Sequence, residues 1–185
     1  METAPGWQIE GASLEQPVRF RKRQAPFQTR TCWSVERPRT LVIGCSDGRL
    51  QASTDEFLQS ALNIRDYDRL YIAGGAGAMA YGGSEFIRAE IVRASFTFLL
   101  HAHGTEQVIL LTHAATDDGP PEAVCAHYRR IMSRATVAEI REQQIRDVND
   151  LTRDLIDHLH GIDLRAFRAD VMATRQVQFT DITPV

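Results

Sequence analysis

Leu41-Val42-Ile43-Gly44-Cys45-Ser46-Asp47-Gly48-Arg49 is the stretch that decides the fold. An apolar run stops at a glycine, and a cysteine, a carboxylate and a guanidinium follow at alternate positions. Much later a second apolar run, Val108-Ile109-Leu110-Leu111-Thr112, stops at His113. Continuous apolar runs of this length read as strands buried on both faces of a parallel sheet. Two such strands side by side would each deliver a chemically active residue at a carboxyl end, where ligands of open α/β sheets sit. A thiolate and an imidazole brought together there suit Zn²⁺. Taken singly, Cys45 reads better as a small buried hydrophobe and His113 as a strand-end histidine. The pair, with Asp47 and Arg49 in place, reads as a site.

Outside this stretch the chain has ordinary globular character. Its 185 residues suffice for one well-packed domain and are too few for two of usual size. A formal net charge of −3 gives no electrostatic case for nucleic acid or for an anionic membrane. No apolar run approaches the roughly 20 residues of a membrane helix, and the first residues lack the basic-then-apolar order of a signal peptide. Three scattered cysteines, Cys32, Cys45 and Cys125, form no disulfide framework and point to a reducing compartment, hence the cytoplasm.

Residues 1–38 carry four prolines and no sustained periodicity, which separates an N-terminal arm from a domain over 39–185. Trp7, Phe20, Phe27 and Trp33 favour an ordered arm over a solvated tail. The basic cluster Arg19-Phe20-Arg21-Lys22-Arg23 is too short to argue for nucleic acid. Strands are expected over Thr40–Gly44, Arg69–Ala73, Gln107–Thr112, Leu164–Met172 and Gln176–Ile182. Helices are expected over Thr54–Leu62, over Ser84–His103, around Val124, Tyr128 and Ile131, and from a capping box at Thr136 and Glu139. In the second helix Ile87, Ile91, Ala94 and Phe98 fall on one face, which must be buried on a sheet or a partner. His101 and His103 lie in its last turn, where they suit the helix dipole. Gly74-Gly75-Ala76-Gly77 lacks the phasing of a phosphate loop and reads as a close approach of backbone to a site or interface. Cys125 and His127, two apart, fall on different helix faces and make poor metal partners for each other. The pattern predicts an α/β fold, a mostly parallel sheet flanked by helices.

Cys45-Ser46-Asp47-Gly48-Arg49 resembles the C-x-D-x-R signature of the β-class carbonic anhydrases and their smaller relatives. The second signature of that family, H-x-x-C, corresponds here to His113-Ala114-Ala115-Thr116, with a threonine in place of the cysteine. The likeness runs from about Thr40 to Pro121. It implies a β-carbonic-anhydrase-like domain, assembled as a homodimer with the arm across the neighbour. It implies Zn²⁺ held by Cys45 and His113, with Asp47 orienting the nucleophile and Arg49 orienting Asp47. The substrate class implied is CO₂ and bicarbonate, or an analogue such as carbonyl sulfide, attacked by zinc-bound hydroxide. With Thr116 a poor ligand, the resemblance leaves the third ligand to Asp47, or to Asp117 beside it. A cysteine restored at 116 would then strengthen metal binding. Two other readings stay open: a catalytically inactive member serving as a structural, anion-binding or partner-binding module, and a metal-free nucleophile at Cys45.

Overall fold

The computed structural model describes residues 24–80 and 86–184. The chain divides into two units, Met1–Val35 and Glu36–Val185. Within the first, residues 24–35 form neither helix nor strand, and Phe27 and Trp33 are exposed. Trp7, the basic cluster and Ser84 lie outside the described residues.

The second unit runs β1 (Thr40–Cys45), α1 (Gln51–Ala61), β2 (Asp68–Ile72), α2 (Phe86–His103), β3 (Gln107–Ala115), α3 (Ala126–Ile131), α4 (Val137–Leu155), β4 (Asp163–Val171) and β5 (Val177–Asp181). The strands stand in the order β2-β1-β3-β4-β5. The first four are parallel, and β5 returns antiparallel along β4. This is the α/β fold with a mostly parallel, helix-flanked sheet that the pattern of runs predicts. The strand order reverses at β1 and β3, so the crevice for a ligand opens between their carboxyl ends.

The unbroken apolar runs are explained by burial on both faces. Leu41, Ile43, Val108 and Leu110 pack with Phe96 of α2 and Leu151 of α4. The intervening Val42, Ile109 and Leu111 pack with Leu58 of α1 and Phe167 of β4. Side chains of this size, fully buried, each contribute about 1.5–3 kcal/mol of transfer free energy. Phe57 joins the edge strand to this layer, stacked 4.1 Å from Phe179 and edge-on 4.9 Å from Phe167. Among the described residues no helix is long and apolar enough to cross a membrane.

Several boundaries depart from the sequence expectation, each for a local reason. α1 begins at Gln51 rather than Thr54, because a 3₁₀ turn at Gly48–Leu50 feeds straight into it; Thr54 is buried inside the helix and caps nothing. β3 continues through His113 to Ala115, because β4 pairs with it as far as Ala115↔Val171; the histidine is inside the strand, not beyond its end. Val124 precedes α3. The capping box opens α4 as expected: the Thr136 amide donates to Glu139 Oε2 at 2.7 Å, and the Glu139 amide to Thr136 Oγ1 at 3.2 Å. In α2 the face turned to the sheet carries Ala89, Val92, Phe96 and Leu100, whereas Ile91 and Phe98 are each 64% exposed. That helix is apolar on two sides, and the sheet covers one. His103 Nδ1 sits 2.6 Å from the Asp68 carboxylate at the start of β2, tying down the last turn of α2.

Candidate metal centre

Cys45 is the last residue of β1. The β1–β3 ladder stops earlier, at Ile43↔Leu110, so the two strands part just before the residues that matter. Gly75 holds them apart. At φ +58° its backbone fits where a Cβ would strike the Leu111 carbonyl and crowd the Cys45 amide. This is the close approach expected of the glycine run, and only glycine makes it without strain.

After Cys45 the chain folds back on itself. The Ser46 amide donates to the Ile72 carbonyl at 3.0 Å, and Asp47 then caps the 3₁₀ turn by accepting from the Arg49 amide at 3.1 Å. Arg49 closes on the same carboxylate, Nε to Oδ1 at 2.9 Å and Nη2 to Oδ2 at 2.5 Å; Nη2 also donates to the Glu122 carbonyl at 3.1 Å. The paired guanidinium holds the Asp47 carboxyl down to about 2, so it is ionised at any working pH. The alternation of Asp47 and Arg49 is thus a two-point clamp made within one turn.

His113 is almost fully buried, 2% exposed. Its Nδ1 lies 3.0 Å from the Ala123 carbonyl, an acceptor only, so Nδ1 carries the proton and Nε2 presents its lone pair. Gln144 of α4 donates to the His113 carbonyl at 2.8 Å and fixes the backbone beneath the ring. Nε2 itself is buried without a hydrogen-bond partner. A buried imidazole nitrogen left in this state is costly unless something meets it.

Two sulfurs stand close to that ring. Cys45 Sγ is 3.9 Å from Cys125 Sγ, and the ligand atoms of Cys45, His113 and Cys125 all lie within 4.8 Å of one another. Donors around a tetrahedral zinc are roughly 3.6–3.8 Å apart for bonds of about 2.1–2.3 Å. Cys125 is the residue before α3, carried back toward β1 by the Pro121–Ala123 turn whose last carbonyl also holds His113. A proton shared with Cys125 favours the thiolate at Cys45 and pulls its pKa well below the usual thiol range. The same partnership and burial push the Cys125 thiol up. Ionisation is thus favoured at Cys45 and opposed at Cys125, and a cation in the cluster would favour it at both. A buried imidazole nitrogen without a hydrogen-bond partner, on a ring clustered with two thiols, suits a zinc ion in donor chemistry, at spacings that run up to about 1 Å wider than a tetrahedral site needs.

The other candidate ligands stand elsewhere. Asp47 is occupied by Arg49, and Asp117 is exposed and paired with Arg141. The Thr116 hydroxyl donates to Asp118 Oδ1 at 2.8 Å, with the Val171 carbonyl at 3.3 Å. His127 packs against Tyr128 and is not part of the cluster. Sequence reasoning passed over Cys125 because it weighed that thiol only against His127. The available signal was the Pro120-Pro121 turn between His113 and Cys125, which can reverse the chain toward β1. Two cavities adjoin the centre and share Asp47, Leu50 and His113. One, of about 150 Å³, also reaches Cys45, Thr54 and Tyr71; the other, of about 270 Å³, reaches Arg49, Glu122 and Arg175.

No protein-family model matches the chain, and no curated protein matches it in sequence. Similar solved structures include the β-carbonic anhydrase CafA of Aspergillus fumigatus, at 14% identity and a TM-score of 0.45, covering 81% of this chain and 78% of that one. The carbonic anhydrase from Glaciozyma antarctica has 18% identity and a TM-score of 0.45, covering 80% and 83%. That of Streptococcus mutans has 17% identity and a TM-score of 0.40, covering 80% and 83%. Likeness at this level carries no functional argument, so the reading that follows rests on the residues of the chain itself.

Proposed function

We propose that this chain is a β-carbonic-anhydrase-like zinc enzyme that reversibly hydrates CO₂ or hydrolyses a related small molecule such as carbonyl sulfide. The observation that carries the reading is the cluster of His113, whose Nε2 is buried without a partner, with the thiols of Cys45 and Cys125, and the Asp47–Arg49 clamp that follows Cys45 in the chain. Cys45, His113 and Cys125 would hold the ion. Three protein ligands with a place left open is the composition of a catalytic rather than a structural zinc site. Zinc in such a set supplies the Lewis acidity that makes water ionisable near neutral pH.

The chain's own residues do the rest. Asp47, ionised and pinned by Arg49, accepts a hydrogen bond and aligns the O–H it faces. Arg49, engaged on both oxygens, holds that carboxylate in one rotamer and would compete with a bound ion for it. The Ala123 carbonyl fixes the tautomer of His113 and raises its basicity as a ligand. The inactive-scaffold reading drew its force from the lack of a third strong donor, and Cys125 offers one.

The exposed Ile91 and Phe98 of α2 support a homodimer formed over that face. Free thiols at Cys32, Cys45 and Cys125 support a cytoplasmic setting. The test is metal content by mass spectrometry on the purified protein, followed by CO₂ hydration in a stopped-flow pH-indicator assay. Stoichiometric zinc with measurable hydration is expected. Protein that takes up no zinc even when refolded with it would end the reading. Light scattering of Ile91→Asp tests the dimer, with a monomer as the expected result.

A further inference from the structure

We propose that Arg175 is an anion-recognition residue, and that the larger cavity beside the cluster takes a small organic carboxylate. The inference rests on the proposed function only in placing the reacting end of such a molecule at the Cys45–His113–Cys125 cluster.

Size is the first ground. The cavity measures about 270 Å³. In the same measure one water needs about 10–15 Å³, so this cleft, open to solvent on one side, has room for more than a triatomic molecule. The lining is the second. It runs from His113, nearly sealed from solvent, to Arg175, which is exposed. Between them lie Pro120, Ala123, Val171 and Val177, which are apolar walls. Apolar walls with a few polar groups at fixed places are the usual construction of an organic-ligand pocket.

The third ground is that Arg175 is unspent. The other guanidinium of the cavity, Arg49, is used by Asp47 and the Glu122 carbonyl. Among the described residues the Arg175 side chain makes no ion pair or hydrogen bond; only its amide is engaged, donating to the Met172 carbonyl at 2.8 Å. The fourth is its backbone. Arg175 lies in the β4–β5 hairpin at φ +66°, a left-handed conformation where glycine would be at ease. Holding an arginine there costs the turn stability, and such strain gathers at ligand-binding positions. A guanidinium beyond an apolar stretch from the cluster suits a molecule with a carboxylate at one end and a short hydrocarbon body. Glu122 lines the same cavity and opposes that charge, which should limit affinity rather than abolish it.

The test uses butyrate as the probe and its neutral isostere butyramide as the control, by calorimetry and by the side-chain Nε–H resonance of Arg175. Butyrate is expected to bind the wild-type protein and move that resonance. Arg175→Gly, which relieves the turn and should keep or raise the melting temperature, is expected to weaken butyrate about tenfold or more through loss of a charge-assisted bond. Arg175→Lys should restore most of the affinity, and Glu122→Gln should increase it. Butyramide should bind no better than butyrate binds Arg175→Gly. Equal butyrate affinity in wild type and Arg175→Gly would overturn the proposal. So would equal binding of butyrate and butyramide, or displacement of butyrate by equimolar chloride. Zinc content of the same samples separates the two ideas. Arg175-dependent butyrate binding without zinc leaves the carboxylate site standing and the enzyme reading fallen; zinc without that dependence does the reverse.

Discussion

The centre is assembled in two ways. Its first half, Cys45 to Arg49, is one strand end and one turn, and the Asp47 carboxylate that shapes the turn takes all its hydrogen bonds from Arg49, two residues away. Its second half starts at His113, inside β3, and reaches Cys125 only after a loop and a 3₁₀ turn. That half leans on distant support: Gln144 of α4 holds the His113 backbone, and Asp147 of α4 accepts from Tyr128 of α3 at 2.6 Å. A locally closed half can be written in five letters. A half closed through tertiary contacts can move a ligand along the chain and still put it in the same place.

This contrast can be broken or sharpened by substitution. The largest effect is expected from Cys125→Ser, because the second half then loses its thiolate. Even outer partners of metal ligands cost about 10–100-fold in affinity, so loss of a ligand should exceed about 100-fold. Competition with a chromophoric chelator measures it, and affinity equal to wild type would mean the second half ends somewhere other than Cys125. Next is Asp47→Asn, which acts on the first half alone. Zinc content should hold while kcat/KM for CO₂ falls by about 100-fold, the lower range for a lost proton-handling group. A parallel loss of zinc would show Asp47 to be a ligand after all.

Asp147→Asn probes the distant support with a smaller effect. Burial raises the Asp147 pKa above its ordinary value. A raised folded pKa means that the folded state binds the proton more tightly. The contribution is fully present below the unfolded pKa, near 3.9, and is lost as pH rises through the folded value. Wild type should therefore lose melting temperature relative to Asp147→Asn as pH rises from the unfolded carboxylate pKa, by a few degrees at most. Parallel curves for the two proteins would remove Asp147 from the account. The smallest expected effect is that of Thr116→Cys, now expected to leave zinc affinity unchanged and not to rescue Cys125→Ser. The Thr116 hydroxyl is turned to Asp118 and Val171, away from the donors. A rescue would show that the second half tolerates either position.

The same contrast explains what the sequence could disclose. Both central strands were legible because burial on two faces leaves unbroken apolar runs, and Asp47 and Arg49 were legible because their partnership is local. The outward face of α2 was not. A helix apolar all round does not say which side meets the sheet, and Phe96 and Phe98 differ only in register. Cys125 was hidden for the reason that Gly75 was not: a glycine cluster announces a close approach wherever it occurs, whereas a ligand twelve positions from its partner announces nothing until the turn between them is folded.

One further contact bears on how such a chain can change over time. A Cβ on Gly77 would fall on the hydroxyl and ring of Tyr128. Tyr128 belongs to the helix that Cys125 introduces. Any side chain gained at 77 must displace the Tyr128 ring, and with it the hydroxyl that donates to Asp147, unless residue 128 has shrunk first. Phenylalanine does not shrink it enough, since the ring carbon bearing the hydroxyl is itself 2.8 Å from the added Cβ. The less costly order is therefore a small aliphatic residue at 128 before alanine at 77, and the reverse order passes through a chain in which the Tyr128 ring has lost its place. Chains that keep the tyrosine at 128 should keep glycine at 77 as well.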